Sequence, residues 1–405
     1  MSDLAVIAPP TSAHARVAAA PPLAAWGADI KRILCVRTDN LGDVLMTTPA
    51  FRALRHATPQ RHLTLLTSAA GSALAPLLPD IDEVIRYDAP WAGQAAQPSA
   101  AADLAMREWL SRRRFDAAVI FTVYSQNPLG AATMCHLAGI PRRLARCREN
   151  PYALLTDWLP EREPECGTQH EVQRQLSLVE AIGAHTGDTQ MRLALRPEDR
   201  GALDAVLAAR GIPAAQPFIV LHPGASAASR RYPAERFAAA AARLAGATGM
   251  PVLVTGSAGE APLVREVCLS AGLARHHALH DLAGALELGA MAALIERARV
   301  LISNNSGPVH LASALGTPVV DLYALTNPQH APWQTPHRVL FHDVDCRWCY
   351  RSVCPHGHHA CLTGISASDV VLATLDLLHE TRGRGAHAAR LVDAQPPAPG
   401  SSLHF

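Results

Sequence analysis

The sequence predicts an α/β protein built from two doubly wound domains, each with a parallel sheet between layers of helices. Short runs of β-branched and other apolar residues alternate with longer helical patterns, which is typical of parallel strands joined by crossover helices. A chain of 405 residues exceeds one ordinary core and fits two domains of about 150 to 200 residues each. In addition, two polar turns, residues 37–43 and 303–310, each follow a strand pattern and lead into a helical pattern. Together these observations favour two similar domains.

Apolar runs predict the strands of both sheets. They are Ile33–Val36, Leu63–Leu66, Glu83–Tyr87, Ala117–Phe121, Phe218–Leu221, Val252–Thr255, Val300–Ile302 and Val319–Tyr323. Helical spacing predicts helices at Val44–Leu54 and Pro197–Arg210, and an amphipathic terminal helix at Ser366–Glu380. Gly and Pro residues before the strand at Phe218 place the domain boundary near residues 195–215. We therefore expect an N-terminal domain at 30–200, a C-terminal domain at 215–365 and a terminal helix at 366–382.

Both ends of the chain are predicted to be disordered tails. Residues 1–29 are dominated by Ala and Pro, contain no Lys, and match neither a signal peptide nor a spanning helix. Residues 383–405 have a similar character. No run of 18 or more apolar residues occurs elsewhere, which favours a cytoplasmic protein and leaves contact with a membrane surface open.

The charge balance argues against a nucleic-acid-binding surface. Lys and Arg number 36 against 35 Asp and Glu, so the net charge is +1 and there is no general basic field. Any bound anion must be held by local groups. The two polar turns suit that role, because each directs helix N-terminal N–H groups and the positive end of a helix dipole toward the end of a strand.

Asp43 lies at the end of the polar turn that follows the Ile33–Val36 strand, directly before the predicted helix. A carboxylate at this place could serve as a general base for a hydroxyl group, and the helix dipole favours its ionised form. From spacing alone, however, a simpler role is favoured, in which Asp43 or Asn40 caps the helix.

Four cysteines form a block with the spacing Cys346-x2-Cys349-x4-Cys354-x6-Cys361. In a chain with no secretion signal, this density favours zinc or iron over disulfides. Neither a vacant ligand position nor a neighbouring base indicates catalysis, so the predicted metal is structural. A loop of reduced thiols is the alternative. The other five cysteines are scattered and indicate ordinary thiols.

Four blocks of the sequence resemble glycosyltransferase family 9, the bacterial heptosyltransferases that build the inner core of lipopolysaccharide. The blocks occur in the family's order, at Val36–Leu45, at Leu221–Ser226 with Arg230–Pro233, at Ser303–Pro318, and in the cysteine block. The resemblance implies the GT-B fold, with two Rossmann-like domains facing a central cleft. It also implies an inverting transfer of a heptose or related sugar from an ADP-sugar donor to a lipopolysaccharide-core or related glycan acceptor. No cofactor is expected to be required for catalysis, and peripheral contact with the inner membrane face fits such an acceptor.

The resemblance also assigns residue roles. Asp43 matches the general base, which reverses the preference for a cap, and Arg230 replaces a usual lysine near the leaving diphosphate, keeping the charge in a planar, bidentate form. Substrate contacts are assigned to Arg37, Thr38, Asn40, Gly42, His222, Ser226, Glu260, Asn305, Ser306, Gly307 and His310.

Several of these assignments have simpler alternatives. Arg230 with its neighbour could be a solvated charge pair, and Glu260 could be an ordinary acidic residue of a helix N-terminus. Arg52 and Arg55 could contact an anionic acceptor or form a solvated helix face. Asn305 departs from the aspartate that many family members have, which puts the donor sugar in doubt.

Two other functions stay open. A transferase of the same fold could glycosylate a protein such as an autotransporter, which predicts bound metal and a serine acceptor. Alternatively, a nucleotide-sugar-binding protein could have lost turnover. The asparagine at 305 keeps this alternative open, and the retained Asp43 argues against it.

Overall fold

The computed structural model describes residues 23–92, 99–271 and 278–382, so the predicted tails lie largely outside the described residues. The described part divides into two compact units, an N-terminal unit that ends at Ala194 and a C-terminal unit that begins at Leu195. Within these ranges, no helix combines the length and the apolar character that crossing a membrane requires. Trp26, which the sequence placed in the tail, is buried and donates its backbone N–H to Ile182 O at 3.0 Å. Ordered structure therefore begins before residue 30.

The N-terminal unit contains a six-stranded parallel sheet with the order β3-β2-β1-β4-β5-β6. Its strands are β1 Arg32–Arg37, β2 His62–Thr67, β3 Glu83–Arg86, β4 Ala117–Ile120, β5 Arg142–Cys147 and β6 Asp157–Pro160. Its helices are α1 Leu41–Ala57, α2 Ala69–Ser72, α3 Ala100–Arg113, α4 Leu129–Leu137 and α5 Glu171–Glu180.

The C-terminal unit repeats this plan, with the strand order β12-β11-β10-β7-β8-β9. All pairs are parallel. Its strands are β7 Ile219–His222, β8 Val252–Val254, β9 Leu279–Asp281, β10 Val300–Asn304, β11 Val319–Leu322 and β12 His337–Leu340. Its helices are α6 Pro197–Ala209, α7 Ala234–Thr248, α8 Ala261–Ser270, α9 Leu288–Arg297, α10 Gly307–Leu315, α11 Ala360–Thr363 and α12 Ala367–Glu380.

Each sheet has a topological switch point, where the strand order reverses. In the N-terminal sheet it lies between the neighbours β1 and β4, and in the C-terminal sheet between β7 and β10. Ligands of open α/β sheets bind at the carboxyl ends of the strands at such points. The polar turns of the sequence lie at these places, since residues 37–43 follow β1 and residues 303–310 begin at the end of β10.

Central strands are buried on both faces, and this explains why they appear as continuous apolar runs. Ile33, Leu34 and Cys35 of β1 have no exposed surface. The helix that follows continues through Pro49, which cannot donate a hydrogen bond to the carbonyl of Leu45. The hydroxyl of Thr48 donates to this carbonyl at 2.7 Å, so the buried oxygen keeps a partner.

The predicted α/β class is confirmed, and each of the eight predicted strands overlaps an observed one. The sequence analysis missed β5, β6, β9 and β12. Three of these four lie at sheet edges, where partial exposure removes the continuous apolar run. The fourth, β5, contains three arginines in six residues and does not resemble a buried strand.

Candidate functional site

The turn after β1 brings Asp43 to the carboxyl end of the N-terminal sheet. One carboxylate oxygen, Oδ2, accepts the Asn40 N–H at 3.2 Å, and the other, Oδ1, accepts from Arg37 Nη2 at 3.3 Å. Asp43 therefore makes the capping contact that its spacing predicted. Its side chain also remains 13% exposed, so one group can both fix the turn and meet a ligand.

Arg37 was expected to contact substrate, and the structure shows a different environment. Its side chain is fully buried, and its guanidinium lies 3.0 Å from Asp39, 3.3 Å from Asp43 and 2.7 Å from Glu171. Burial alone lowers the pKa of Arg37, but the three carboxylates raise it overall. Arg37 is thus the centre of a buried ionic network and not an accessible phosphate ligand.

This environment changes the acidity of Asp43. Burial raises its pKa, Arg37 lowers it, and Asp39 and Glu171 raise it again, with a resulting pKa of about 7. The helix dipole was expected to keep the group ionised, and desolvation with two neighbouring carboxylates outweighs that effect. A carboxyl group with a pKa near neutrality is suited to general-base chemistry. Of the other residues assigned to this turn, Thr38 is half-buried, Asn40 is exposed and Gly42 is buried.

In the C-terminal unit, Asn304 at the end of β10 is hydrogen-bonded to the segment that follows β7, so it joins the two candidate segments at the switch point. Its Nδ2 donates to Pro223 O at 2.7 Å, and its Oδ1 accepts the Tyr232 N–H at 3.0 Å. The Ser306 hydroxyl lies 3.5 Å from Gly224 O and 3.2 Å from Asn304 O. As a result, the turn after β7, which includes the exposed Ser226, lies beside the N-terminus of α10 at Gly307.

Arg230 ends a short 3-10 turn at Ala228–Arg230, and its side chain is half-buried. Among the residues that the structure describes, its guanidinium has no hydrogen-bond or ion-pair partner. Its neighbour Arg231 differs, since that side chain donates to Ala225 O at 2.8 Å. A half-buried cation that the protein leaves unpaired is suited to an anionic ligand.

Asn305 is turned into the interior of the unit. Its Nδ2 donates to Asp321 Oδ2 and to His330 O, each at 2.9 Å. Burial raises the pKa of Asp321 to about 8, although the bond from Asn305 lowers it. His310 is also buried, and its ring centroid lies 6.2 Å from that of His330. The structure thus places an acidic group beside this turn, on β11 and not at position 305.

His222 ends β7, and Glu260 follows the carboxyl end of the neighbouring strand β8. His222 Nδ1 is 3.1 Å from Thr255 Oγ1, and burial lowers the pKa of His222 while Glu260 raises it in part. The Glu260 carboxylate accepts the Ser257 N–H at 2.8 Å, as the helix-terminus alternative predicted. A Cβ atom on Gly224 would lie 2.0 Å from Glu260 Oε1, so a larger residue there would require the Glu260 side chain to move.

Arg52 and Arg55, considered for an anionic acceptor, are used within the N-terminal unit. Arg52 is buried and donates to Asp188 O at 3.1 Å and to Gln190 O at 2.8 Å. Arg55 pairs with Asp82 at 2.5 Å. Both side chains therefore stabilise loops and do not form a free cationic face.

The cysteine block was predicted to hold a structural metal ion. Burial raises the pKa of Cys361, and the other three cysteines of the block raise it further, which indicates that the four thiols are neighbours. Cys346 Sγ also lies 3.9 Å from His358 Nε2. Across residues 23–92, 99–271 and 278–382, however, no group of three or more His, Cys, Asp or Glu side chains is arranged to hold an ion. The geometry does not fit a closed tetrahedral site, and a structural metal stays a prediction.

Three residues of these sites were missed by sequence reasoning as functional groups. Glu171 lies far from the first turn along the chain, and Asp321 lies within an apolar strand. Asn304 was noted only as part of a motif. An acidic residue inside the apolar run Val319–Tyr323 was the one local signal, because a buried carboxylate requires a partner.

Comparison with known proteins gives consistent results. The model of glycosyltransferase family 9 (heptosyltransferase) matches residues 104–360, more than half of the chain. The chain is 25% identical to lipopolysaccharide heptosyltransferase 2 of Escherichia coli K12 over 306 residues, which is 74% of this chain and 85% of that protein.

Two solved structures share the fold. The glycosyl transferase family 9 protein of Veillonella parvula has a TM-score of 0.72 and 24% identity, covering 88% of this chain and 99% of that one. The ADP-heptose LPS heptosyltransferase II of Escherichia coli has a TM-score of 0.69 and 22% identity, covering 87% and 100%.

Proposed function

Because this chain belongs to glycosyltransferase family 9, we propose that it transfers a heptose or related sugar from an ADP-sugar donor to a lipopolysaccharide-core or related glycan acceptor. The names of its relatives support the donor and the acceptor class. The observation that carries the proposal is the pair of polar turns, each at the switch point of its own sheet. The first holds a carboxyl group of near-neutral pKa. The second is hydrogen-bonded to the segment after β7, in which Arg230 has no hydrogen-bond or ion-pair partner among the described residues.

The proposed reaction is a single displacement with inversion. Asp43 accepts the proton of the acceptor hydroxyl as its oxygen attacks the anomeric carbon. The bond from that carbon to the diphosphate oxygen breaks, and ADP leaves with the electron pair. Negative charge grows on the diphosphate, and Arg230 with the N–H groups at the start of α10 stabilises it. Ser226 and Ser306 add hydroxyl donors beside this site.

The other assigned contacts complete the proposal. His222, Glu260, Asn305 and His310 line or support the donor site in the C-terminal unit, while Thr38, Asn40 and Gly42 shape the turn of Asp43. Because Arg230 and the helix N-terminus supply positive charge, we propose that catalysis requires no metal ion. The lipid-linked acceptor suggests action in the cytoplasm, at the inner membrane face.

The test measures ADP release and transfer with ADP-heptose and a heptose-deficient core acceptor, for wild type, Asp43→Asn and Arg230→Ala. Asp43→Asn should lower kcat by roughly 10²- to 10⁴-fold and leave donor affinity nearly unchanged. Arg230→Ala should weaken both donor binding and kcat. Arg243→Ala is the matched control, because within the described residues that arginine of the same unit donates to Ser368 alone.

The configuration of the product and the identity of the acceptor distinguish a glycan transferase from a protein transferase and from a binding protein without turnover. A product with the anomeric configuration opposite to that of the donor, formed at the same rate with a chelator present, supports the mechanism. Transfer only to a serine hydroxyl of a protein would replace the acceptor assignment. Donor binding without turnover in wild type would contradict an active enzyme.

A further inference from the structure

The carboxylate of Asp43 shares its arginine with two other acids. Arg37 Nη2 donates to Glu171 Oε1 at 2.7 Å and to Asp43 Oδ1 at 3.3 Å, while Arg37 Nε lies 3.0 Å from Asp39. One cation, at the end of β1, thus faces three carboxylates, which lie in the following turn, in α1 and in α5. Because the same nitrogen serves Glu171 and Asp43, and the bond to Glu171 is shorter, the two acids compete for one donor.

Glu171 is held firmly in that competing position. It is the first residue of α5, has no exposed surface, and its Oε1 also accepts from Gln175 Nε2 at 2.6 Å. The Gln175 amide donates as well to Thr122 O at 3.0 Å, at the end of the neighbouring strand β4. The acid therefore cannot move away from Arg37 without breaking other buried hydrogen bonds.

We propose that Glu171 is a positioning residue for the transfer reaction, which prevents Arg37 from pairing fully with Asp43 and so preserves Asp43 as a base. This inference rests on the role proposed for Asp43. Glu171 is fully buried and acts through Arg37, without contact with substrate.

The electrostatics of the site agree with this geometry. The charged or polar groups that act on Asp43 are Arg37 from β1, Asp39 and the Asn40 N–H from the turn, and Glu171 from α5. Burial and the two acids raise the pKa of Asp43, whereas Arg37 and the Asn40 N–H lower it. Neutralising Glu171 removes one acid and lets Arg37 approach Asp43. Both changes lower the pKa of Asp43.

The test compares Glu171→Gln with wild type in two measurements. Titration of the Asp43 carboxyl carbon by ¹³C NMR, assigned with Asp43→Asn, should show a pKa lower by about one unit in Glu171→Gln. The acid limb of the pH profile of kcat/KM should move down by the same amount. The plateau should fall roughly threefold, because the base is weaker.

Two variants serve as controls. Glu161→Gln removes another buried carboxylate, which pairs with Arg174 and not with Arg37, and should leave the pKa of Asp43 unchanged. Glu171→Asp keeps the charge and should restore most of the wild-type pKa. If Glu171→Gln does not fold, Glu171→Asp still provides the test, with a small downward shift expected because its carboxylate is further from Arg37.

The outcomes separate the two proposals. An unchanged or higher pKa of Asp43 in the folded Glu171 variants overturns the role of Glu171, whatever the activity. Full activity of Asp43→Asn overturns the role of Asp43 as a base. Loss of activity in Asp43→Asn, with no shift of the pH profile in Glu171→Gln, removes only the inference about Glu171.

Discussion

At position 305, a single amide group donates a hydrogen bond to a buried carboxyl group beside the turn after β10, the turn that we propose holds the donor. The Asn305 amide donates to Asp321, whose side chain is fully buried. Asn305→Asp would set two acids at hydrogen-bonding distance. We expect a loss of at least about 2 kcal/mol in the free energy of unfolding at pH 8, because one acid must stay unpaired or bind a proton.

The loss should become smaller as the pH falls, since a protonated acid can donate to its ionised neighbour. This loss in the free energy of unfolding is measured by urea unfolding of wild type, Asn305→Asp, Asp321→Asn and the double variant. Asp321→Asn should rescue Asn305→Asp, because the pair then again contains one acid and one amide. Equal stability of Asn305→Asp and wild type at pH 8 would show that the two side chains do not interact.

Position 305 also shows which features of single residues can be predicted from the sequence. The motif located the turn and identified Asn305 as a departure, since both are local properties of the chain. Its partner could not be found in this way, because the contact depends on the register that pairs Ser303 with Asp321 across β10 and β11. Glu171 likewise meets Arg37 only because α5 packs against α1 beside the end of β1.

At the scale of elements, the cysteine-rich segment holds the loop that carries Arg230. Ser229 donates its hydroxyl to Arg351 O at 2.7 Å and its N–H to Ser352 O at 3.0 Å, and its side chain is buried. The segment is itself fixed to the end of the sheet, because the Trp348 N–H donates to Leu325 O at 2.7 Å. The segment therefore links the end of the sheet to the loop that carries Arg230.

Ser229→Ala removes the hydroxyl bond and keeps the backbone one. We expect donor affinity to fall roughly fivefold, equivalent to about 1 kcal/mol, because Arg230 is held less firmly. Calorimetry with the ADP-sugar measures this effect, and Ser368→Ala, which loses one exposed bond from Arg243, is the control. Reduced stability with unchanged donor affinity would restrict Ser229 to a structural role.

Central strands, edge strands and helices differ in how well the sequence predicts them. Strands at the centre of each sheet are covered on both faces, so their burial leaves a continuous apolar signal. Edge strands such as β9 and β12 are only partly covered, and their side chains alternate less clearly. The helices after the two polar turns were predicted from helical spacing and, for the second, from the proline in its first turn. These signals are local and need no tertiary contact.

At the scale of the whole molecule, each unit contains a carboxyl group whose pKa is raised by burial. Asp43, which is mostly buried, has a pKa of about 7, and the fully buried Asp321 has a pKa of about 8. An acid with a raised pKa binds a proton in the folded state that it loses in the unfolded state. The free energy of unfolding therefore falls as the pH rises from about 4 toward these values. Asp199 shows the opposite case, since its bonds with Arg196 lower its pKa, and its stabilising contribution is lost in acid.

The double variant Asp43→Asn/Asp321→Asn should therefore raise the Tm in a pH-dependent way. We expect almost no difference from wild type near pH 4 and a gain of at least roughly 2 to 4 °C near pH 8, because only there does folding have to bury both charges. Other titrating groups affect both proteins equally, so the difference in Tm is the quantity to measure by scanning calorimetry. Asp199→Asn should instead lower the Tm near pH 8 and have little effect in acid. If the Tm difference of the double variant stays constant from pH 4 to pH 8, the two carboxyl groups titrate normally in the folded protein, and Asp43 then lacks the near-neutral pKa on which its role as a base depends.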